Sequence, residues 1–419
     1  MSVEYDGVAG LDLTRYLRPG DTVTWGQACG EPLSLTEALT RQRASLSGLR
    51  CFLGIPCSDT MRPEYADHLR FVSYSGTGAN QALLQAGVLD LLPCHYSALP
   101  QVLSAGPLRA DAVLLALPPA RPDGSHGLGV CADYVAPLIG TARVVIAEVS
   151  DRVPDVGGAC SISPEDLHVV VHTSRAPAEY HAARPMQAVE TAIAQLVAGL
   201  VEDGATLQVG IGSMPSAALA ALSDHRDLGV HSGMISDAVA DLIETGAVTG
   251  SRKPTDRGLV VAGFLLGTRR LFGHAAGNHA VQLAATTYTH DPAILAAQHR
   301  LTAINGAIEV DLTGHVNTET IFGRYVGAVG GAADFMRGAA RSEGGLAVTV
   351  LPSTAGSASR IVSRLGGPAS IARADAGVIV TEHGVADLRG LGLAERRERM
   401  LAIADPAHRE TLAAGAARR

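Results

Sequence analysis

Aromatic residues make up only 4% of this 419-residue chain, with a single tryptophan among them. A core with so few rings must be filled by Ala, Val, Leu and Ile, which suits sheets and helices layered through small contacts. Lysine is scarcer still. Lys253 is the only one, so arginine carries nearly all the positive charge. No run of about twenty apolar residues occurs, which excludes a membrane-spanning helix and a membrane partner. Met1–Leu17 holds early acidic residues and no apolar segment, which argues against a secretory signal. No C-x-x-C pair occurs among Cys29, Cys51, Cys57, Cys94, Cys131 and Cys160, so zinc and thioredoxin-like readings have little support. A cytoplasmic protein with free thiols and no metal is the simplest account. Cys94 precedes His95, but neighbours on an extended segment point to opposite faces, so adjacency does not place the imidazole on the thiol. The formal net charge of -8 argues against a nucleic-acid partner, since phosphate binding needs a clustered positive surface.

Hydrophobic residues make up 47% and charged residues 18%, the balance of a well-buried globular chain. Its length exceeds one ordinary core, so two domains are expected. The halves echo each other. Gly20-Asp21-Thr22-Val23-Thr24-Trp25-Gly26 and Gly204-Ala205-Thr206-Leu207-Gln208-Val209-Gly210 both read as glycine, short strand, glycine. Pro32 and Pro215 follow, and then helix-like runs at 33–39 and 217–222. Ala110–Leu115 and Ala374–Ile379 are a second pair, each a buried strand entered through Ala-Asp. Further apolar strands are expected at 144–149, 167–171, 260–266 and 346–351, and helices at 186–200 and 237–245. This alternation predicts an α/β fold: two related open domains with mostly parallel sheets. The polar stretch His172–Pro185 is the expected boundary, giving domains 1–182 and 183–419.

Four segments could carry chemistry. Gly210-Ile211-Gly212-Ser213-Met214-Pro215 leaves a strand and enters a helix, where glycines admit a ligand and a helix N-terminus favours negative charge. The alternative is a tight turn. Gly327–Ala339 is a second glycine-rich loop, containing Gly330, Gly331, Asp334, Phe335 and Arg337. It can present N–H groups to an oxyanion or phosphate, or be an ordinary connection with a surface arginine. Glu309 and Asp311 alternate with apolar residues, so they share one face of a strand. Such acids do acid/base work or, more often, hold loops. Glu382 and His383 leave a buried strand at 377–380, the place where open α/β sheets put their ligands.

The stretch Leu228-Gly229-Val230-His231-Ser232-Gly233-Met234-Ile235-Ser236-Asp237 is the most informative. With Gly210–Pro215, Ala303–Gly314, Gly330–Ala339, Ser359–Val362 and Thr381–Gly390, it resembles the acetyl-CoA hydrolase/transferase family of class I CoA-transferases. The resemblance spans nearly the full length. It implies two α/β domains of NagB/CoA-transferase type, an active site between them, and a homodimer. It also implies coenzyme A, bound as a substrate thioester, together with a small-molecule acyl-CoA and an acceptor. In the family pattern a glutamate between the His-Ser and the Met-Ile-Ser-Asp attacks the thioester, and here that position is Gly233. Carried over, the N–H of Ile211 and of Gly330 or Gly331 would form the oxyanion hole. Gly210, Gly212, Met214, Gly330, Gly331, Asp334, Phe335 and Arg337 would contact CoA. Glu382 would stand near the acyl group, and His383 replaces a residue that is often aromatic or an amide.

Without that carboxylate, ping-pong transfer through residue 233 is lost. Direct attack by water or an acceptor on a thioester held in the oxyanion hole is the favoured reading. The rivals are a non-catalytic acyl-CoA-binding or partner subunit, and a conventional transferase in which Gly233 is an introduced change. A glycine also permits backbone paths that glutamate resists, so the loop itself could differ. A nicotinamide enzyme is disfavoured, because no G-x-G-x-x-G is followed by a ribose-binding acid.

Overall fold

The computed structural model describes residues 2–158, 160–181 and 186–417. Two compact units are present. The first comprises Met1–His181, Gly233–Asp237 and Val261–Thr289, and the second Ala182–Ser232, Ala238–Val260 and His290–Arg419. The cut expected between 182 and 183 lies outside the described residues. Two segments from the C-terminal half of the sequence group with the first unit.

In the first unit, eight strands form one sheet in the order Val3–Asp6, Val169–Thr173, Val144–Ser150, Ala112–Leu117, Thr22–Trp25, Arg50–Leu53, Arg70–Ser73 and Leu89–Leu91. Every neighbouring pair is parallel. The central strand Val144–Ser150 is buried at every residue, as a strand covered on both faces must be. At the edge, Val3–Asp6 is largely exposed. Asp111 ties two strand starts together by accepting the Thr22 N–H at 2.9 Å. Leu35 and Leu39 of the helix Leu33–Gln42 pack with Val23, Cys51 and Leu114 in the core.

Within the second unit the strand order is Gly384–Asp387, Val378–Thr381, Leu346–Val350, Thr302–Gly306 and Thr206–Val209, with Gly229 and Val230 paired to the last. All pairs are parallel except the terminal hairpin of Val378–Thr381 with Gly384–Asp387. Phe335, Met336, Leu295, Leu351 and Met400 fill its core. The echo between the halves is structural. Thr22–Trp25 and Thr206–Val209 each have parallel neighbours on both sides, and each leads to a helix, Leu33–Gln42 or Ser213–Ala220. The second helix begins four residues earlier than the apolar run at 217 suggests. Pro215 falls in its first turn, where a missing N–H breaks no helical bond.

The one lysine belongs to this framework. Lys253 is 2% exposed, and its Nζ donates to the carbonyls of Val230 at 3.0 Å and Leu259 at 2.9 Å. Its stem lies on Gly229, where a Cβ would stand 2.7 Å from Lys253 Cγ. Burial pushes the ammonium pKa down from 10.5 to about 8. Between those values the unfolded chain binds a proton that the native chain has released, so stability should rise with pH across that window. Lys253→Met should cost about 1–3 kcal/mol at neutral pH by leaving two carbonyls without their donor. It should also remove the alkaline rise. Urea midpoints at pH 7 and pH 10 check both, and an unchanged slope in the variant would rule out Lys253 as its source.

Candidate active site

Because the strands of the second unit run parallel, their exits share one edge of the sheet. Gly210 follows Thr206–Val209, Gly306 ends Thr302–Gly306, Ser353 lies just beyond Leu346–Val350, and Glu382 follows Val378–Thr381. The helix Ala332–Arg341 connects two neighbouring parallel strands, so its N-terminus, with Gly330 and Gly331 before it, returns to the same edge. Gly330 has φ 60, a left-handed conformation that a side chain resists. Gly212 has φ 133 and caps the helix Ser213–Ala220. Ile211 stands 40% exposed in the turn between. The edge thus brings together both glycine turns, each at a helix start, where backbone N–H groups and the helix dipole favour a negative oxygen.

Polar pairs fix these turns. Gln208 and Asn305 exchange amide hydrogen bonds of 3.2 and 2.8 Å in the buried layer. A Cβ on residue 210 would come within 2.6 Å of Asn305 Oδ1, so only glycine fits there. Ser232 lies against Val209, with its hydroxyl 3.5 Å from both the N–H and the carbonyl, and Gly233 is the next residue in the chain. His231 is buried, and so is His290, whose pKa falls to about 3 through burial and then through the nearby His231. The His290 imidazole is therefore a core group, suited to packing and hydrogen bonding rather than to carrying charge.

Several expected site residues have structural duties. The Glu382 carboxylate accepts the Ser353 N–H at 2.9 Å and the Ser353 hydroxyl at 2.7 Å, so it pins one strand exit to the next. His383 Nε2 lies 3.8 Å from Glu382 and 3.7 Å from Asp405. Glu309 accepts from Asn317 at 3.1 Å and from the Gly366 N–H at 2.8 Å. Burial would raise the Asp311 pKa, but hydrogen bonds from Thr313 and His315 outweigh it and lower the value. Both acids therefore hold loops. Phe335, expected along a CoA channel, is instead in the core. It is 1% exposed with its ring 4.6 Å from His290, because the apolar face of an amphipathic helix turns inward. Arg337 is held by Asp375 at 2.9 Å. Met214 is buried, and Asp334 occupies the first turn of its helix.

Gly233 itself belongs to the first unit and lies within the strand Gly229–Ile235. It is half-buried, and it is not among the positive-φ glycines, so the backbone there is one that any residue adopts. Its carbonyl lies close to Gly263, where a Cβ would stand 2.6 Å from Gly233 O and 3.3 Å from Asp133 Cβ. Asp133 is fully buried. It accepts from Gln27 at 2.7 Å, from Tyr96 at 2.8 Å and from the Tyr134 N–H. Burial nevertheless raises its pKa to about 6.

In the same unit, a small pocket opens at the exits of Thr22–Trp25 and Arg50–Leu53. Gln27, Glu31 and Ser58 line it. Glu31 accepts from Thr36 at 2.8 Å and from Ser58 at 2.5 Å, and its pKa is raised by burial. Gln27, Glu31 and Asp133 were not found from sequence. Asp133 had a visible signal, a lone acid within the apolar run Val130–Val135.

Comparison with known proteins places this geometry. Residues 10–177 match the acetyl-CoA hydrolase/transferase N-terminal domain, and residues 267–416 the C-terminal domain of the same family. A 4-hydroxybutyrate coenzyme A transferase from Clostridium kluyveri is 33% identical over 396 residues, 93% of this chain and 92% of that one. The crystal structure of RipA from Yersinia pestis matches with a TM-score of 0.92 at 30% identity, covering 97% of this chain and 95% of that one. The 4-hydroxybutyrate CoA-transferase of Porphyromonas gingivalis matches with a TM-score of 0.81 at 30% identity, covering 100% and 98%. A full-length match in both sequence and fold leaves one assignment: the chain belongs to the acetyl-CoA hydrolase/transferase family.

Proposed function

We propose that this protein cleaves or transfers the acyl group of an acyl-CoA, or of a related pantetheine thioester, by direct attack of water or an acceptor, with no glutamyl-CoA intermediate. One observation carries the reading. The strand position where the family pattern has its attacking glutamate is Gly233, in ordinary extended backbone and without a side chain. Attack then falls to the oxygen of water or of the acceptor. That oxygen adds to the thioester carbonyl, the carbonyl oxygen becomes an oxyanion, and the C–S bond breaks to release CoA thiolate. The N–H of Ile211 and of Gly330 or Gly331 stabilise the oxyanion, since both turns stand at helix starts on one sheet edge. Gly210, Gly212, Met214, Asp334 and Arg337 serve the CoA moiety. Glu382, held by Ser353, and His383 beside it support the acyl end.

The named transferases act on short acyl groups, so butyryl-CoA with or without acetate is the first assay. The expected result is loss of thioester absorbance with no covalent enzyme–CoA species in intact-mass spectra. A CoA adduct on any residue would overturn direct attack. Tight butyryl-CoA binding with no thioester loss over hours would instead identify a binding protein.

A further inference from the structure

We propose that Cys29 and Cys57 form a redox-responsive dithiol in the first unit, which peroxide closes to a disulfide that disturbs the Gly267–Thr268 turn. Beyond the strands Thr22–Trp25 and Arg50–Leu53, Ala28 and Pro56 form one further parallel bridge, with the Ala28 N–H on the Ile55 carbonyl at 2.7 Å. The next residue on each side is a cysteine. The bridged pair lies at the strand spacing of about 4.8 Å, and each cysteine is one residue beyond it, where a disulfide needs a Cα separation of about 4.4–6.8 Å. The two thiols are close enough for each to shift the pKa of the other. Cys29 is buried and Cys57 partly exposed, so a small oxidant reaches the pair from one side. Ala28, immediately before Cys29, holds φ 54, a left-handed conformation costly for a residue with a side chain.

The two thiols are unequally acidic. The Cys57 thiol lowers the pKa of Cys29 despite burial, and the same contact, followed by burial, raises that of Cys57. Cys51 shows the contrast: burial alone pushes it up to about 12. Thiolate character selects the site of oxidation.

The Cys29 thiol also donates to the Gly267 carbonyl at 3.7 Å. The next residue, Thr268, donates to Asp237 through its N–H at 3.1 Å and its hydroxyl at 2.8 Å. Asp237 lies four residues after Gly233 and in the same unit. Disulfide formation removes the Cys29 proton and with it the bond to Gly267. In the balanced step, hydrogen peroxide accepts two electrons. The O–O bond breaks, an S–S bond forms, and the two thiol protons leave in two molecules of water.

The test uses the full chain with hydrogen peroxide, then peptide mapping without reductant. The expected product is a Cys29–Cys57 linked peptide, absent from Cys57→Ser and reversed by dithiothreitol. Amide exchange around Gly267 should be at least about tenfold faster in the oxidised protein. Neither readout depends on thioester chemistry, so the result stands apart from the proposed activity. Oxidation of Cys57 to sulfinic acid without a link, or a link from either thiol to another cysteine, would refute the pairing. A Cys29–Cys57 link with unchanged exchange would refute its effect on the turn.

Discussion

Gly233→Glu should turn the protein into a ping-pong CoA-transferase that accumulates an enzyme–CoA thioester. The backbone there accepts a side chain. It lies in a strand, its backbone is outside the left-handed region, and it is not fully buried. No conformational penalty opposes the substitution, so the variant should fold. A carboxylate there would attack the acyl-CoA, form an anhydride, and exchange it for a glutamyl thioester, splitting one hard displacement into easier ones. If residue 233 is the family's nucleophile position, as proposed, the substitution is expected to raise exchange of labelled acetate into acyl-CoA on the order of 10²-fold or more. Intact-mass spectrometry should show the CoA adduct. Gly233→Gln, with similar bulk and no nucleophilic oxygen, should show neither. A well-folded Gly233→Glu protein with no adduct and no exchange would mean that residue 233 does not correspond to the family nucleophile.

The second large effect concerns Asp133. Its carboxylate is the shared acceptor for the Gln27 amide, the Tyr96 hydroxyl and the Tyr134 N–H, all inside the first unit. Asp133→Ala leaves these donors without an acceptor, at a cost of about 1–3 kcal/mol for each group that finds no other partner. We expect about 3 kcal/mol in total by that reasoning. The wild type should also carry a pH signature. Burial raises the native pKa from 3.8 to about 6, so between these values the folded chain keeps a proton that the unfolded chain has lost. Stability from this group is therefore complete below about pH 4 and lost as pH rises through 6, by roughly 3 kcal/mol. The difference between wild type and Asp133→Ala in urea should shrink over that range. Parallel profiles from pH 4 to pH 7 would show that Asp133 is not the titrating group.

Local pattern predicted local structure well. Val144–Ser150 and Leu346–Val350 lie within a residue of expectation, because buried central strands are apolar runs bounded by polar residues. Tertiary grouping was not visible. Nothing in residues 233–237 or 261–289 announces that they join the first unit, since that depends on contacts formed with residues far away in sequence. The glycine turns were legible because helix starts and left-handed glycines leave marks in sequence. Phe335 lies in the core because helical periodicity turns it inward, which its place beside a glycine loop did not reveal. Buried polar groups were the main omission. Asp133 and Glu148 interrupt apolar runs, and Glu148 accepts from Ser34 and Thr173, but a lone acid does not reveal its partners.

The unstrained backbone at Gly233 also bears on ancestry. Two of the glycine codons become glutamate codons by a single base change, and this strand imposes no conformational toll in either direction. On the proposed chemistry, a lineage crosses between covalent and direct thioester attack in one mutation, with no backbone strain to relieve at that residue, and crosses back as readily.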